Sequence, residues 1–100
     1  MINGREAKRD PTDFRFDLLD WEFIYSLALL AKFGADKYGE LDWQKSRLSG
    51  DKSPMNHIIR HFFSYKADEA YNHGDLTDPK YHLVAIAFNA MMEFWYETHK

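Results

Sequence analysis

The chain is predicted to be all-α, with three main helices completed as a helical bundle by oligomerisation. Three observations predict this. Residues 21–33 and 83–95 are apolar on almost every face of a helix, the pattern of helices covered on several sides. Helix punctuation flanks them, with Asp20, Ser53-Pro54 and Asp78-Pro79 as starts and Gly74 as a stop. No alternating run is long enough to make a convincing strand.

Residues 1–13 are polar and contain Pro11, so they read as a flexible N-terminal arm, with residues 14–100 forming one domain. Residues 20–37 read as the first helix, with Asp20 as N-cap and Gly34 as its weak point. Glu22 and Ser26 are its one polar pair at helical spacing. Its nearly all-apolar surface implies a central position or a subunit interface. A loop follows over residues 38–52, carrying Gly39, Trp43, Lys45, Arg47 and Gly50; loops of that length in compact domains are more often functional than not.

The second helix is expected to open with Ser53 as N-cap and Pro54 at its first position and to run to about His73, where Gly74 stops it. Met55, Ile58, Ile59, Phe62 and Phe63 make one face apolar, while His57, His61, Ser64 and Asp68 recur on another. Asp78 is expected to cap the third helix, with Pro79 at its first position and an end near Glu97. Its only polar stripe is His82, Asn89 and Glu93.

Composition narrows the function classes. At 100 residues with 45% hydrophobic and 17% aromatic content, a modest core can form, close to the size at which association helps. A homo-oligomer, dimer or tetramer, is therefore expected. A net charge of −3 gives no bulk basic field of the sort that direct nucleic-acid binding uses, though local charge can still hold a small anion. The chain has no cysteine, so a metal would be held by His, Asp, Glu, carbonyls or water. Residues 1–8 lack the apolar stretch of a signal peptide and no apolar run is long enough for a membrane span, which makes the cytoplasm the expected location.

Four constellations could carry chemistry. Asp75 and Asp78 place two hard oxygen donors in the link between the second and third helices, the donor type that Mg²⁺ takes together with water and substrate phosphates; on spacing alone, a helix cap at Asp78 and a solvated loop residue at Asp75 are the commoner explanation. His57 and His61, four apart, have the spacing of a helical metal-binding pair, and Arg60 beside His61 adds a cation for phosphate. Alternatively, His57 is a surface group. Glu22, His82, Asn89 and Glu93 interrupt apolar helices, and burying such groups without partners costs about 1–3 kcal/mol each. They either fix helix register as a polar network or line a nucleotide site. Trp43, flanked by Lys37, Tyr38, Lys45 and Arg47, offers a surface for stacking a base, or it simply covers the core.

Taken in order, Arg15-Phe16-Asp17-Leu18-Leu19, Gly34-Ala35 with Lys37-Tyr38-Gly39, Trp43, Arg60-His61, Gly74-Asp75 with Asp78, and His82-Leu83 with Asn89 make a pattern that resembles the N-terminal domain of phage-type dATP/dGTP diphosphohydrolases. That family looks related to the all-α, MazG-like nucleotide pyrophosphohydrolases. The resemblance spans about residues 15–93. Two positions depart from it, Asp20 where proline is common and Asp75 where glutamate is favoured. A third departure concerns chemistry: the Glu-Glu-x-x-Glu of MazG-like enzymes is missing, since Glu22 is followed by Phe23 and Tyr25, and position 26 is Ser.

The resemblance implies a Mg²⁺-dependent nucleoside-triphosphate pyrophosphohydrolase that acts on purine deoxynucleotides and releases a monophosphate and pyrophosphate. Asp75 and Asp78, with Glu22 or His61, would hold Mg²⁺. Glu22, His61 and His82 would be catalytic. Arg60 and Lys37 would meet phosphate, Trp43 or Tyr38 would face the base, and Asn89 would line the substrate wall; if the protein is phage-encoded, its place would be the host cytoplasm. Two other classes stay open: a module that binds or sequesters nucleotide without turnover, to which the thin carboxylate set points, and a structural helical adaptor.

Overall fold

A computed structural model describes residues 14–100; the arm read over residues 1–13 lies outside the described residues. Three helices carry the architecture, α1 (Trp21–Tyr38), α2 (Pro54–Lys66) and α3 (Tyr81–Thr98), with short 3-10 turns at Phe16–Leu18, Asp42–Gln44 and Gly50–Lys52. This is the predicted all-α class.

Helix starts follow the caps. Asp20 accepts the Phe23 N–H through Oδ2 at 2.9 Å, and Ser53 Oγ accepts the Asn56 N–H at 3.2 Å ahead of Pro54. Each satisfies a donor that the first helical turn leaves open. At the far end of α1, Gly39 adopts φ 102° and sends its N–H to the Ala35 carbonyl at 2.8 Å.

The second helix ends earlier than expected. α2 stops at Lys66, not near His73, because Asp68 turns into the left-handed region at φ 58°. The Glu69 N–H then reaches Ser64 O at 2.9 Å and the Asp68 N–H reaches Tyr65 O at 3.0 Å. That pair of bonds is a Schellman closure, with aspartate in the position usually given to glycine. Gly74, the expected stop, does a different job. Its φ of 58° turns a miniature hairpin in which His73 and Leu76 pair, the Leu76 N–H reaching His73 O at 3.0 Å.

The third helix begins later than its proline suggests. Asp78 Oδ1 accepts the Lys80 N–H at 2.9 Å, a turn closed on the aspartate's own side chain. Bonds from Tyr81 to Asp78, His82 to Pro79 and Leu83 to Lys80, each 3.0 Å, then wind the chain into α3. Asp78 therefore organises the approach to the helix, and Lys80 occupies the N-cap without a side-chain cap bond.

Of the two apolar helices, α3 is the central one. It packs against both α1 and α2 and buries His82, Val84, Ala85, Asn89, Met92 and Tyr96, whereas α1 buries only Leu30. Leu30, Tyr71, Val84 and Ala85 form the core, flanked by Phe23, Leu27, Leu76, Tyr81 and Phe88. The outer faces keep large apolar side chains in solvent, among them Trp21, Phe63 and Phe94, 75%, 65% and 69% exposed.

The long loop is pinned to the far half of α3. Tyr96 Oη donates to Trp43 O at 2.6 Å and accepts the Leu48 N–H at 3.3 Å. Trp43 stands edge-on to Trp95 and Tyr96, with centroids 5.5 and 6.1 Å apart. Arg47 bonds Glu93 at 2.6 Å, lies 3.5 Å from Glu97 and covers the Tyr96 ring at 5.1 Å.

Candidate functional site

Residues of α1, α2, α3 and the segment between α2 and α3 line an open groove of about 180 Å³. Leu30, Phe33, Gly34, Lys37 and Tyr38 supply its α1 side, Ala85, Phe88 and Asn89 its α3 side, and His61, Tyr71 and His73 the remainder. Four residues singled out from sequence thus share one groove: Lys37, Tyr38, His61 and Asn89. Helical spacing explains the two sides, since Leu30, Phe33, Gly34 and Lys37 follow at intervals of three and four, as do Ala85 and Asn89.

The polar groups of this groove are ordered by a histidine pair. His82 is 5% exposed, and its Nε2 lies 2.9 Å from the Glu69 carbonyl. A carbonyl only accepts, so Nε2 carries the proton. With both rings neutral, His82 Nδ1 is bare and accepts from His61 Nδ1–H across 2.9 Å, which leaves His61 Nε2 as an acceptor. Both nitrogens of His82 are engaged, so His82 acts on the groove by orienting His61. Burial lowers the His61 pKa to about 4, with His82, Arg60 and His57 adding to the effect. At neutral pH His61 is an uncharged hydrogen-bond acceptor.

Asn89 is 8% exposed. Its Nδ2 donates to Ala85 O at 2.9 Å, which assigns the nitrogen end of the amide to the helix backbone. Among the described residues Oδ1 has no hydrogen-bond partner. Phe33 and His73, both lining the groove, stack on each other at 4.3 Å, 17° from parallel. Lys37 Nζ stands 5.1 Å from the centre of the Tyr38 ring, placing a cation and an aromatic ring together at the groove.

The other predicted site residues are placed elsewhere. Arg60 is exposed and donates through Nη2 to His57 Nδ1 at 2.8 Å; burial first, then Arg60, lowers the His57 pKa against the opposing pull of Asp51. Trp43 is half-buried in its contacts with Trp95 and Tyr96. Glu22 is exposed in the first turn of α1, and Asp75 and Asp78 are exposed on the hairpin link. Glu93 is held by Arg47. Among the described residues no three His, Asp or Glu converge as a metal site. A second, larger hollow of about 390 Å³ lies beside Arg47, Trp95 and Tyr96.

Sequence reasoning missed Phe33, Tyr71 and His73 as groove residues. Phe33 was legible only as part of an apolar face, and His73 and Tyr71 were assigned to a helix that the structure ends at Lys66.

The family described as dATP/dGTP diphosphohydrolase, N-terminal, matches residues 3–100. The chain belongs to that family. No curated protein and no solved structure matches it. No helix among the described residues is long and apolar enough to cross a membrane.

Proposed function

We propose that this chain binds a purine deoxynucleoside triphosphate, with the base in the groove between α1 and α3, and serves its hydrolysis to monophosphate and pyrophosphate. The observation that carries this reading is the meeting of Lys37, Tyr38, His61 and Asn89 in one groove in a chain of the dATP/dGTP diphosphohydrolase N-terminal family. At about 180 Å³ the groove falls below the ~300–1,000 Å³ of sites that enclose a whole drug-sized ligand. It suits one planar ring system, leaving sugar and phosphates outside it. Lys37 supplies positive charge at the groove. Arg60, next to His61, reaches phosphate if its guanidinium leaves His57.

Mg²⁺ belongs to the same proposal. Its minimum requirement is one or two carboxylates together with water and substrate phosphates. Asp75 and Asp78, both exposed on one link, fit that demand and would hold an ion arriving with the triphosphate. When bound there, the ion would polarise the α-phosphoryl group and lower the pKa of an attacking water. Glu22 is offered as a further ligand or catalytic carboxylate that its position on α1 would require to be brought in by assembly of copies, the homo-oligomer that the exposed apolar faces favour.

The thin carboxylate set, with no Glu-Glu-x-x-Glu on one helix, favours a second reading, nucleotide sequestration without turnover. Pyrophosphate release from dATP and dGTP, measured with and without Mg²⁺ beside calorimetric binding, tests both. Metal-dependent release supports hydrolysis. Tight binding with the nucleotide recovered unchanged supports sequestration, and no binding at all ends both readings.

A further inference from the structure

We propose that the outer seam of α3 is a self-pairing surface, on which a second copy of this chain lays its own α3 in antiparallel register, with Lys80 opposite Glu97, Leu83 opposite Phe94 and Ala87 opposite Ala90. The inference is independent of the nucleotide reading. It goes beyond the expected association by naming the face, the symmetry and the register.

α1 and α2 each pack on α3 and scarcely on each other, so the central helix is covered on two sides and open on a third. The open side is apolar. Leu83 and Met91 are 41% and 44% exposed and Phe94 more so, while Ala90 is exposed and Ala87 half-buried. Lys80, at the N-cap, and Glu97, near the other end, extend the same stripe and are exposed as well. The six positions from Lys80 to Glu97 follow at alternating intervals of three and four, the spacing that keeps one seam of a helix turned toward a partner helix.

From either end the order along this seam is charged, large, small, small, large, charged, and the two charges are opposite in sign. That order complements a reversed copy of itself. An antiparallel pair brings alanines together in the middle, where the helices approach most closely, sets leucine against phenylalanine on both sides, and ends on a cation facing an acid at each end. A twofold pair makes every such contact twice. A parallel pair would instead set Lys80 on Lys80 and Glu97 on Glu97. Glu97 already holds Lys100 at 3.0 Å with Arg47 at 3.5 Å, so the end charges select the register more than they add affinity. The exposed large side chains of α1 lack this mirrored order, since Trp21, Ile24 and Tyr25 crowd one end of that helix. Ala85, Phe88 and Asn89, the α3 residues of the groove, lie on the other side of α3 by helical spacing, so pairing leaves the groove of each copy open.

The test is sedimentation velocity of the full chain over a dilution series, with a glutamate placed in turn on each exposed face. Ala90→Glu sets two carboxylates at the centre of the pair and should abolish the dimer. Trp21→Glu on α1 and Phe63→Glu on α2 should leave it in place. All three positions are exposed, and circular dichroism checks that each variant keeps its helices. Register is read by cysteine capture, which a chain without cysteine permits. Ala87→Cys mixed with a mass-tagged Ala90→Cys and oxidised should give chiefly the mixed disulfide, because only residues opposite each other come within the span of that bond. A wild-type chain that stays monomeric, or a dimer that persists in a folded Ala90→Glu, would overturn the proposal. Disulfides formed chiefly between like chains would overturn the antiparallel register, and should Ala90→Glu not fold, the capture result decides alone.

Discussion

The Nδ1 atoms of His61 and His82 face each other across 2.9 Å, joining α2 to α3 through two imidazoles with no carboxylate between them. That contact needs a single proton between the two nitrogens, and a second one would place two bare donors against each other. His61 supplies that proton from Nδ1, so a further proton on His61 goes to Nε2, and it is the acceptor character of His61 that depends on its neutral form.

This sets the acid limit of the fold. The His61 pKa is lowered from its ordinary 6.5 to about 4 in the folded chain, so between those values the unfolded chain binds the extra proton and the folded one does not. Stability is then fully present above about pH 6.5 and falls as pH drops toward 4. His57, also lowered, adds in the same direction. Melting temperatures measured from pH 7.5 to 4.5 should decline, and His61→Gln should show a shallower decline than the wild-type chain. Parallel curves for the two proteins would mean that other groups set the acid limit.

Tyr96 predicts what holds the long loop. Tyr96→Phe keeps the ring that Trp43 and Arg47 pack on but removes bonds to Trp43 O and Leu48 N–H. At a net 0.5–1.5 kcal/mol for each typical bond, the expected loss is about 1–3 kcal/mol. Hydrogen exchange should show faster exchange at residues 43–48 than elsewhere. A variant with unchanged stability and unchanged loop protection would show that the aromatic contacts alone hold the segment.

Asp68 gives a test of the Schellman closure. A β-branched residue resists φ 58°, where left-handed backbone costs roughly 1–2 kcal/mol, so Asp68→Val should lose about that much stability. Asp68→Asn should be near neutral, because asparagine tolerates the same conformation. Equal losses in both variants would point to the carboxylate charge instead.

That same residue shows where the sequence stopped being legible. Asp20 and Ser53 announce their helices through side-chain caps that the structure retains, and the all-α class follows from such local signals with the apolar pattern. Asp68 carries no comparable signal, since a left-handed aspartate looks like any polar residue on a helix stripe, and the expected helix ran on to Gly74. Misplacing that end hid Tyr71 and His73 from the groove. Lys37, Tyr38, His61 and Asn89 were legible as chemistry, yet not as one site. Their meeting depends on how α1 and α2 seat on α3, and the His61–His82 bond spans 21 residues, beyond any helical spacing rule.

Asp78 separates structural from functional roles most cleanly. Its Oδ1 closes the turn onto the Lys80 N–H, so Asp78→Ala should cost about 0.5–2 kcal/mol, the range for losing a side-chain bond of the capping kind. Asp78→Asn keeps an oxygen for that N–H and removes the charge. If Asp78 also helps to hold Mg²⁺, the asparagine variant should keep nearly all of the stability while losing the Mg²⁺-dependent part of dGTP affinity, read by calorimetry with and without the ion. The alanine variant should lose both. An asparagine variant that binds Mg²⁺ and nucleotide like the wild-type chain would confine Asp78 to the turn, and the ion's ligands would then have to be sought among Asp75, Glu22 and a second copy.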